Sequence, residues 1–290
     1  MRVDGVFSGG GMKAIALVGA LEVVEERRIQ FERLAGTSAG ALVAALIAAG
    51  YTSSEITELL DDLDTKQFLD APKTPFLFIK WLRLYWKLGL YKGNELEEWV
   101  EERLRQKGIQ TFADLPDGKL RIIASNLTRG EMVVLPDDLH KYGLRAGSFS
   151  VAKAVRMSCS IPYFFQPVKL YSVNGEKNII VDGGVLSNFP VWLFMNEKRR
   201  PVLGVKLSAN MESMPKHRIC NGLEMYNALF ATMKDAHDAR YISSAVEKNI
   251  IFIPVSSVVT TEFNMDEEKK HKLMKLGRMR AEAFFKTWSC

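Results

Sequence analysis

The chain has 290 residues, of which 47% are hydrophobic and 25% are charged, and its formal net charge is +5. These values are typical of a soluble globular protein, and so mild a positive charge does not indicate nucleic-acid binding. The scattered Cys159, Cys220 and Cys290 predict neither a disulfide framework nor a zinc site. No signal-peptide core and no run of about 18 uncharged apolar residues occurs. We therefore expect one cytoplasmic domain over residues 1–290.

The hydrophobic periodicity predicts strands that alternate with helices. The predicted strands cover residues 3–7, 31–35, 120–124, 132–135, 179–181, 202–207 and 250–253. The predicted helices cover residues 12–26, 41–49, 53–60, 94–106, 151–157, 223–246 and 266–286, with a short helix from about residue 191. This alternation favours an α/β fold with a mostly parallel central sheet, in which function collects at the carboxyl ends of the strands.

The segment Gly36-Thr37-Ser38-Ala39-Gly40 joins the second predicted strand to a helix of small residues. A serine between glycines at a sharp strand-to-helix turn is typical of a nucleophile elbow. The glycines allow a tight turn and a close approach of strand and helix. The alternative is an ordinary turn in which Ser38 only caps the helix.

A glycine run, Gly9-Gly10-Gly11, follows the first predicted strand and enters a helix that carries Lys13 near its start. Consecutive glycines let several backbone N–H groups converge on one anion. The anion is either a phosphate or the oxyanion of a tetrahedral acyl intermediate. The P-loop spacing is absent, and the second strand does not end in an acidic residue that would hold a ribose. A nearby serine favours the oxyanion, and Lys13 is either a supporting charge or a surface residue.

Asp182-Gly183-Gly184 directly follows the strand predicted over residues 179–181. An acidic residue at a strand end can reach a site at the edge of the sheet, where it can act as a base. The alternative is a simple turn, because Asp-Gly is a common turn dipeptide.

These three segments, together with residues 156–162 (RMSCSIP), resemble the patatin-like phospholipases, in order from Gly9 to Gly184. The resemblance implies a three-layer patatin-like α/β fold and a serine–aspartate dyad without a histidine. Ser38 would be the nucleophile and Asp182 the general base. The oxyanion donors would be backbone N–H groups of Gly9, Gly10, Gly11 and Ala39.

The resemblance implies hydrolysis of carboxylic esters of lipids or phospholipids, with no metal or organic cofactor. Alternatives are a thioesterase or acyltransferase that uses the same Ser38, or a non-catalytic module that binds phosphate or a nucleotide. A Ser–Asp–His triad is a further alternative, with the later histidine supplied by His217, His237 or His271. The last two lie in charged helical segments, and we expect them to be solvated.

Residues 66–93 are predicted as an insertion, within which Phe76–Tyr91 combines aromatic residues with Lys80, Arg83 and Lys87. On a helix these three cations would share one face, opposite an apolar and Trp-rich face. Such a pattern is typical of a helix at a membrane interface. The hypotheses are a lid over the acyl site, a peripheral membrane contact, or an ordinary packing helix.

Overall fold

The computed structural model describes residues 1–61, 68, 70, 84–195, 200–208, 219–220, 247–255 and 266–288, and eight single positions between 222 and 238. The strands in these ranges are β1 Arg2–Phe7, β2 Gln30–Thr37, β3 Gly89–Tyr91, β4 Leu120–Asn126, β5 Glu131–Leu135, β6 Tyr163–Phe165, β7 Val168–Tyr171, β8 Lys177–Asp182, β9 Val202–Ser208 and β10 Ile250–Pro254. The helices are α1 Ile15–Glu26, α2 Ala39–Ala48, α3 Ser53–Asp61, α4 Asn94–Gln106, α5 Val151–Ser158, α6 Trp192–Met195 and α7 Glu267–Thr287.

Eight of the strands form one sheet in the order β10-β9-β1-β2-β4-β8-β7, with β5 paired to β4. The run from β10 to β4 is parallel. Strands β5 and β8 are antiparallel to β4, and β7 is antiparallel to β8. The mostly parallel sheet is therefore confirmed, with an antiparallel region at one side.

Helices cover both faces of this sheet. Val3 and Phe7 of β1 belong to the larger apolar cluster, which includes residues of α1, α2 and α7. Val6, between them on the opposite face, belongs to a second cluster with Phe189 and Phe194. Alternate residues of one central strand thus face two cores, as the period of two in a strand requires. The predicted three-layer arrangement is confirmed.

The start of α3 shows how a local sequence signal sets a helix boundary. The Thr52 N–H donates to Glu55 Oε2 over 2.7 Å, and the Glu55 N–H donates to Thr52 Oγ1 over 3.3 Å. This reciprocal pair is a capping box, which satisfies two N–H groups that the helix leaves unpaired. The hydrogen bond from Lys107, with those from Thr52, lowers the pKa of Glu55 to about 2.

The end of the Phe76–Tyr91 segment differs from the predicted helix. Residues 84–87 are helical, but Leu88 has a positive φ of 60°, and Gly89–Tyr91 forms strand β3. Strand β3 pairs with β6, more than 70 residues later in the chain, so local periodicity does not indicate it. Residues 76–83, which include Lys80 and Arg83, lie outside the described residues, as does most of the helix predicted over 223–246.

Candidate active site

Ser38 occupies a strained turn between β2 and α2. Its φ is 53° and its ψ is −128°, a conformation that residues with a side chain rarely adopt. Gly40 lies so close to the end of β1 that a Cβ there would collide with the carbonyl groups of Phe7 and Ser8. The absence of a side chain at Gly40 therefore makes the turn possible. The start of α2 therefore lies against the end of β1, and the predicted elbow conformation is present.

Ser38 and Asp182 meet in the buried interior. Ser38 Oγ donates a 2.6 Å hydrogen bond to Asp182 Oδ2, and the Gly184 N–H donates to Asp182 Oδ1 over 2.7 Å. The two side chains belong to residues that are only 7% and 2% exposed. Both oxygens of the Asp182 carboxylate therefore accept a hydrogen bond.

The register of three strands brings these residues together. Thr37, at the end of β2, pairs with Ile123 of β4, and the next residue of β4, Ala124, pairs with Asp182 of β8. Because β8 runs antiparallel to β4, its last residue ends in the middle of the sheet, beside the end of β2. Asp182 therefore reaches the site from the opposite direction to the parallel strands, which the sequence did not indicate.

Ser158, at the end of α5, is a site residue to which the sequence analysis gave no separate role. Its Oγ accepts the Ser38 backbone N–H over 2.8 Å and donates to the Ile123 carbonyl oxygen over 2.5 Å. Ser158 is completely buried. It therefore links the strained turn to β4. Ser158 belongs to the RMSCSIP segment that the sequence resemblance included. Its role could not be predicted, because its contacts are with residues that are distant in the chain.

The glycine loop lies against the same turn. A Cβ on Gly9 would lie 2.5 Å from Asn188 Oδ1 and 3.2 Å from the Ser38 Cβ, so a side chain at this position would crowd both residues. The Gly9 N–H donates to the Asn188 carbonyl oxygen over 3.0 Å. Among the described residues, the N–H groups of Gly10, Gly11 and Ala39 make no backbone hydrogen bond outside the helices and strands. Gly10 and Gly11 belong to the glycine loop, and Ala39 is the first residue of α2.

An apolar cavity of about 110 Å³ opens on Ser38. Its wall combines residues near the turn with side chains from α2, α3, α4, β6 and α7, among them Ala39, Leu42, Leu60, Leu96, Phe165 and Lys270. Sequence analysis did not predict this cavity, because its wall comes from distant segments. Apolar cavities with a few convergent polar groups are typical binding sites for small ligands.

Among the other titratable candidates, Cys159 lies beside the Ser38–Asp182 pair. Cys159 lines the cavity, and its burial and the nearby Asp182 carboxylate raise the pKa of its thiol. It therefore stays protonated near neutral pH. His140 and His271 are exposed, and His217 and His237 lie outside the described residues. Lys13 is half-buried in the turn that follows the glycine loop.

Two general properties complete the description. No three His, Cys, Asp or Glu side chains are grouped as metal ligands among the described residues. Across the same residues, none of the helices has both the length and the apolar character needed to cross a membrane. The fold and the site together define an α/β protein with a buried, hydrogen-bonded Ser38–Asp182 pair at a strained strand-to-helix turn.

The family is shown by comparison with known proteins. Residues 5–195 match the Patatin family, described as patatin-like phospholipase. YqhO of Bacillus subtilis (strain 168) is 55% identical over 291 residues, which cover 100% of each chain. The probable lipid hydrolase 463L of Invertebrate iridescent virus 6 is 26% identical over 282 residues, or 93% of this chain and 88% of that protein. This chain belongs to the patatin-like phospholipase family.

A solved structure supports the same fold. The crystal structure of VipD from Legionella pneumophila matches with a TM-score of 0.60 at 19% identity. The match covers 99% of this chain and 67% of VipD. At that identity, the likeness shows the architecture alone.

Proposed function

We propose that this protein is a lipid acyl hydrolase that cleaves carboxylic esters, including those of phospholipids, through a Ser38–Asp182 dyad. The 2.6 Å hydrogen bond from Ser38 Oγ to Asp182 Oδ2, beside an apolar cavity, is the observation that carries the proposal. Membership of the patatin-like phospholipase family supports the substrate class. The probable lipid hydrolase among the relatives supports it as well.

The proposed reaction has two steps. Ser38 Oγ attacks the ester carbonyl carbon while its proton passes to Asp182 Oδ2, and the N–H groups of Gly10, Gly11 and Ala39 stabilise the oxyanion. Asp182 then returns the proton to the leaving alcohol, and an acyl group remains on Ser38. Asp182 next takes a proton from water as the water oxygen attacks the acyl carbon, and it returns that proton to Ser38 Oγ as the bond between Ser38 and the acyl group breaks and the acid is released.

Gly9 has a different part in this proposal. The Gly9 N–H already donates to the Asn188 carbonyl oxygen, so in this proposal it does not bind the oxyanion. Gly9 instead allows the glycine loop to lie close to Ser38. The α2 N-terminus adds a favourable field, because a helix carries partial positive charge at its N-terminal end.

A fluorophosphonate probe tests the dyad, because it reacts with activated serines. The wild-type protein should be labelled on Ser38, and Ser38→Ala and Asp182→Asn should lose both labelling and ester hydrolysis by at least about a hundredfold. The exposed Ser148→Ala and Asp117→Asn are matched controls and should behave as wild type. Labelling of Asp182→Asn at the wild-type rate would contradict the role of Asp182.

The histidines separate a dyad from a triad. We expect His140→Ala, His217→Ala, His237→Ala and His271→Ala each to keep most of the activity. A loss of several orders of magnitude in one of them would overturn the dyad.

Hydrolysis of acyl-coenzyme A esters, but of no lipid ester, would instead favour the thioesterase alternative. A non-catalytic phosphate site is disfavoured by the apolar lining of the cavity.

We further propose that aromatic residues beside the cavity contact the lipid surface. Tyr85 and Trp86 are 75% and 71% exposed, and Tyr163 is 54% exposed. Gly89 of β3 pairs with Tyr163 of β6, the strand whose Phe165 lines the cavity. Tyrosine and tryptophan favour the boundary between water and lipid, so this exposed group suits a membrane-facing rim.

Vesicle cosedimentation tests this contact. A Tyr85→Ala/Trp86→Ala variant should bind phosphatidylglycerol-containing vesicles several-fold more weakly than wild type, because it loses interfacial aromatic area. Val173→Ala, which truncates an apolar side chain of a residue that is 80% exposed, is the control and should not change binding. Trp81→Ala extends the test to the residues outside the described ranges. Unchanged binding of the double variant would remove the membrane role of Tyr85 and Trp86.

A further inference from the structure

Asp238 and Lys206 form a buried ion pair that the proposed reaction does not use. The two residues are 3% and 8% exposed, and Lys206 Nζ donates to Asp238 Oδ2. The other carboxylate oxygen, Asp238 Oδ1, accepts the Phe189 N–H over 3.0 Å. Desolvation of two charges offsets much of the attraction in a buried ion pair, so stability alone does not account for it. The contact with Phe189 shows which part of the chain the pair holds.

That contact reaches the glycine loop through a single peptide unit. The Phe189 N–H and the Asn188 carbonyl group belong to the same peptide unit, which is planar. The Asn188 carbonyl oxygen accepts the Gly9 N–H over 3.0 Å, and Asn188 Nδ2 lies 3.5 Å from the Gly9 carbonyl oxygen. Because a planar unit rotates as a whole, an acceptor that fixes its N–H also fixes the direction of its carbonyl group. Two consecutive hydrogen bonds therefore connect Asp238 to Gly9.

Lys206 connects the ion pair to a second contact of the glycine loop, through the next residue of β9. The Leu207 N–H donates to Ser8 Oγ over 2.9 Å, and Ser8 directly precedes the loop. A Cβ on Gly10 would collide with Leu207 Cδ1, so the Leu207 side chain packs directly against the loop. The ion pair thus joins two segments that both contact the glycine loop or the residue before it.

We propose that Asp238, together with Lys206, is a positioning residue for the oxyanion donors of the glycine loop. In the proposed reaction, the donors Gly10 and Gly11 directly follow Gly9 in the chain. Such donors are effective only when they lie about 2.7–3.1 Å from the developing oxyanion. A displaced Gly9 would therefore weaken stabilisation of the transition state more than substrate binding. This inference rests on the proposed function and adds residues that do not touch the substrate.

Two double variants without charge isolate the contact with Phe189. Lys206→Met/Asp238→Asn keeps an amide oxygen that can accept the Phe189 N–H, whereas Lys206→Met/Asp238→Leu has no acceptor there. Neither variant leaves a buried charge without a partner. The probe is an alkyl trifluoromethyl ketone: Ser38 Oγ adds to its carbonyl carbon while the Ser38 proton passes to Asp182, and an oxyanion forms. The reference ligand is the corresponding carbinol, which forms no oxyanion.

The variant without the acceptor should bind the ketone at least about tenfold more weakly than the variant that keeps it, with a lower kcat and little change in KM. Carbinol affinity should be the same in both. Asp238→Glu, which keeps the charge but moves the carboxylate by one methylene group, should weaken ketone binding several-fold. Asp4→Asn, in the buried ion pair with Arg33, is the control for lost stability and should leave the ratio of the two affinities unchanged.

Equal ketone affinity of the two folded double variants would overturn the inference. So would an equal loss of ketone and carbinol affinity in the variant without the acceptor, because that result would indicate a general loss of structure. If that variant does not fold, Asp238→Glu decides, and wild-type ketone affinity in it would overturn the inference. Absence of fluorophosphonate labelling and of ester hydrolysis in wild type would instead refute the proposed function, and the inference with it.

Discussion

At the scale of single residues, the Ser38 turn is a strained conformation that its neighbours maintain. A residue other than glycine in such a region of φ and ψ costs about 1–3 kcal/mol. The Ser38 N–H compensates for part of this cost by donating to Ser158 Oγ, which in turn is bound to the Ile123 carbonyl oxygen. Ser158 therefore positions the nucleophile through the backbone, without contact to the acyl group in the proposed reaction.

We predict that Ser158→Ala slows fluorophosphonate labelling of Ser38 by about tenfold and lowers kcat with little change in KM. The variant leaves the buried Ser38 N–H without an acceptor, which costs about 1–3 kcal/mol of folding stability. Labelling kinetics and thermal unfolding measure the two effects. Lower stability with wild-type labelling would mean that Ser158 supports the fold alone. Ser148→Ala, on an exposed residue, serves as the control.

At the scale of elements, the site depends on how α5 is attached to the two-stranded sheet β3–β6. Arg156 of α5 is 3% exposed, and its Nη2 donates to the carbonyl oxygens of Lys92 and Gln166. Its guanidinium lies over the Phe165 ring, 5.2 Å from the centroid. Since Phe165 lines the cavity, Arg156 connects α5, the small sheet and the cavity wall.

We predict that Arg156→Met lowers the free energy of unfolding by about 3 kcal/mol, because two partly buried carbonyl groups lose their donor. Arg156→Lys should recover only part of it, since an ammonium does not reproduce the planar fork of a guanidinium. Chemical denaturation measures the change, and hydrogen exchange at β3 should report local loss of protection. Arg105→Met, at a residue whose side chain is 60% exposed, is the control. Equal stability of the Arg156→Met and Arg105→Met variants would contradict this role.

At the scale of the whole molecule, the candidate site and a buried charge cluster lie towards opposite ends of strand β1. Asp4 lies near the start of β1, and the glycine loop follows the end of that strand. Asp4 is completely buried and accepts hydrogen bonds from Arg33 Nε over 3.0 Å and Nη2 over 2.6 Å, with Arg200 Nε 3.4 Å away. This cluster joins β1 to β2 at a distance from the proposed chemistry.

We predict that Asp4→Asn destabilises the protein by about 3–5 kcal/mol, because it removes the buried carboxylate that pairs with Arg33, whose side chain is only 12% exposed. The folded variant should still be labelled on Ser38 at the wild-type rate. Glu32→Gln breaks the exposed pair with Arg2 and should change stability by less than about 1 kcal/mol. Chemical denaturation and probe labelling of the same samples measure both properties. A slower labelling rate in folded Asp4→Asn would mean that the cluster is coupled to the site.

Local signals predicted many of the elements and the residue types of the site. The capping box of Thr52 and Glu55, the bounds of α4 and the alternation of strands and helices follow from neighbours within one or two turns. Strand β3 was not predicted, because its partner, β6, is distant in the chain. The direction of β8 was equally invisible, since a strand carries no local mark of its orientation.

The sequence by itself determined that a glycine loop, a glycine-flanked serine and an aspartate each follow a strand, because turns and strand ends have local residue requirements. Only the tertiary structure decided that Ser38 and Asp182 are in hydrogen-bond contact, because the pairing of β2, β4 and β8 sets that distance. The same holds for the hydrogen bond from the Gly9 N–H to the Asn188 carbonyl oxygen and for the apolar cavity beside Ser38. Volume, burial and non-local hydrogen bonds arise only when distant segments pack against each other.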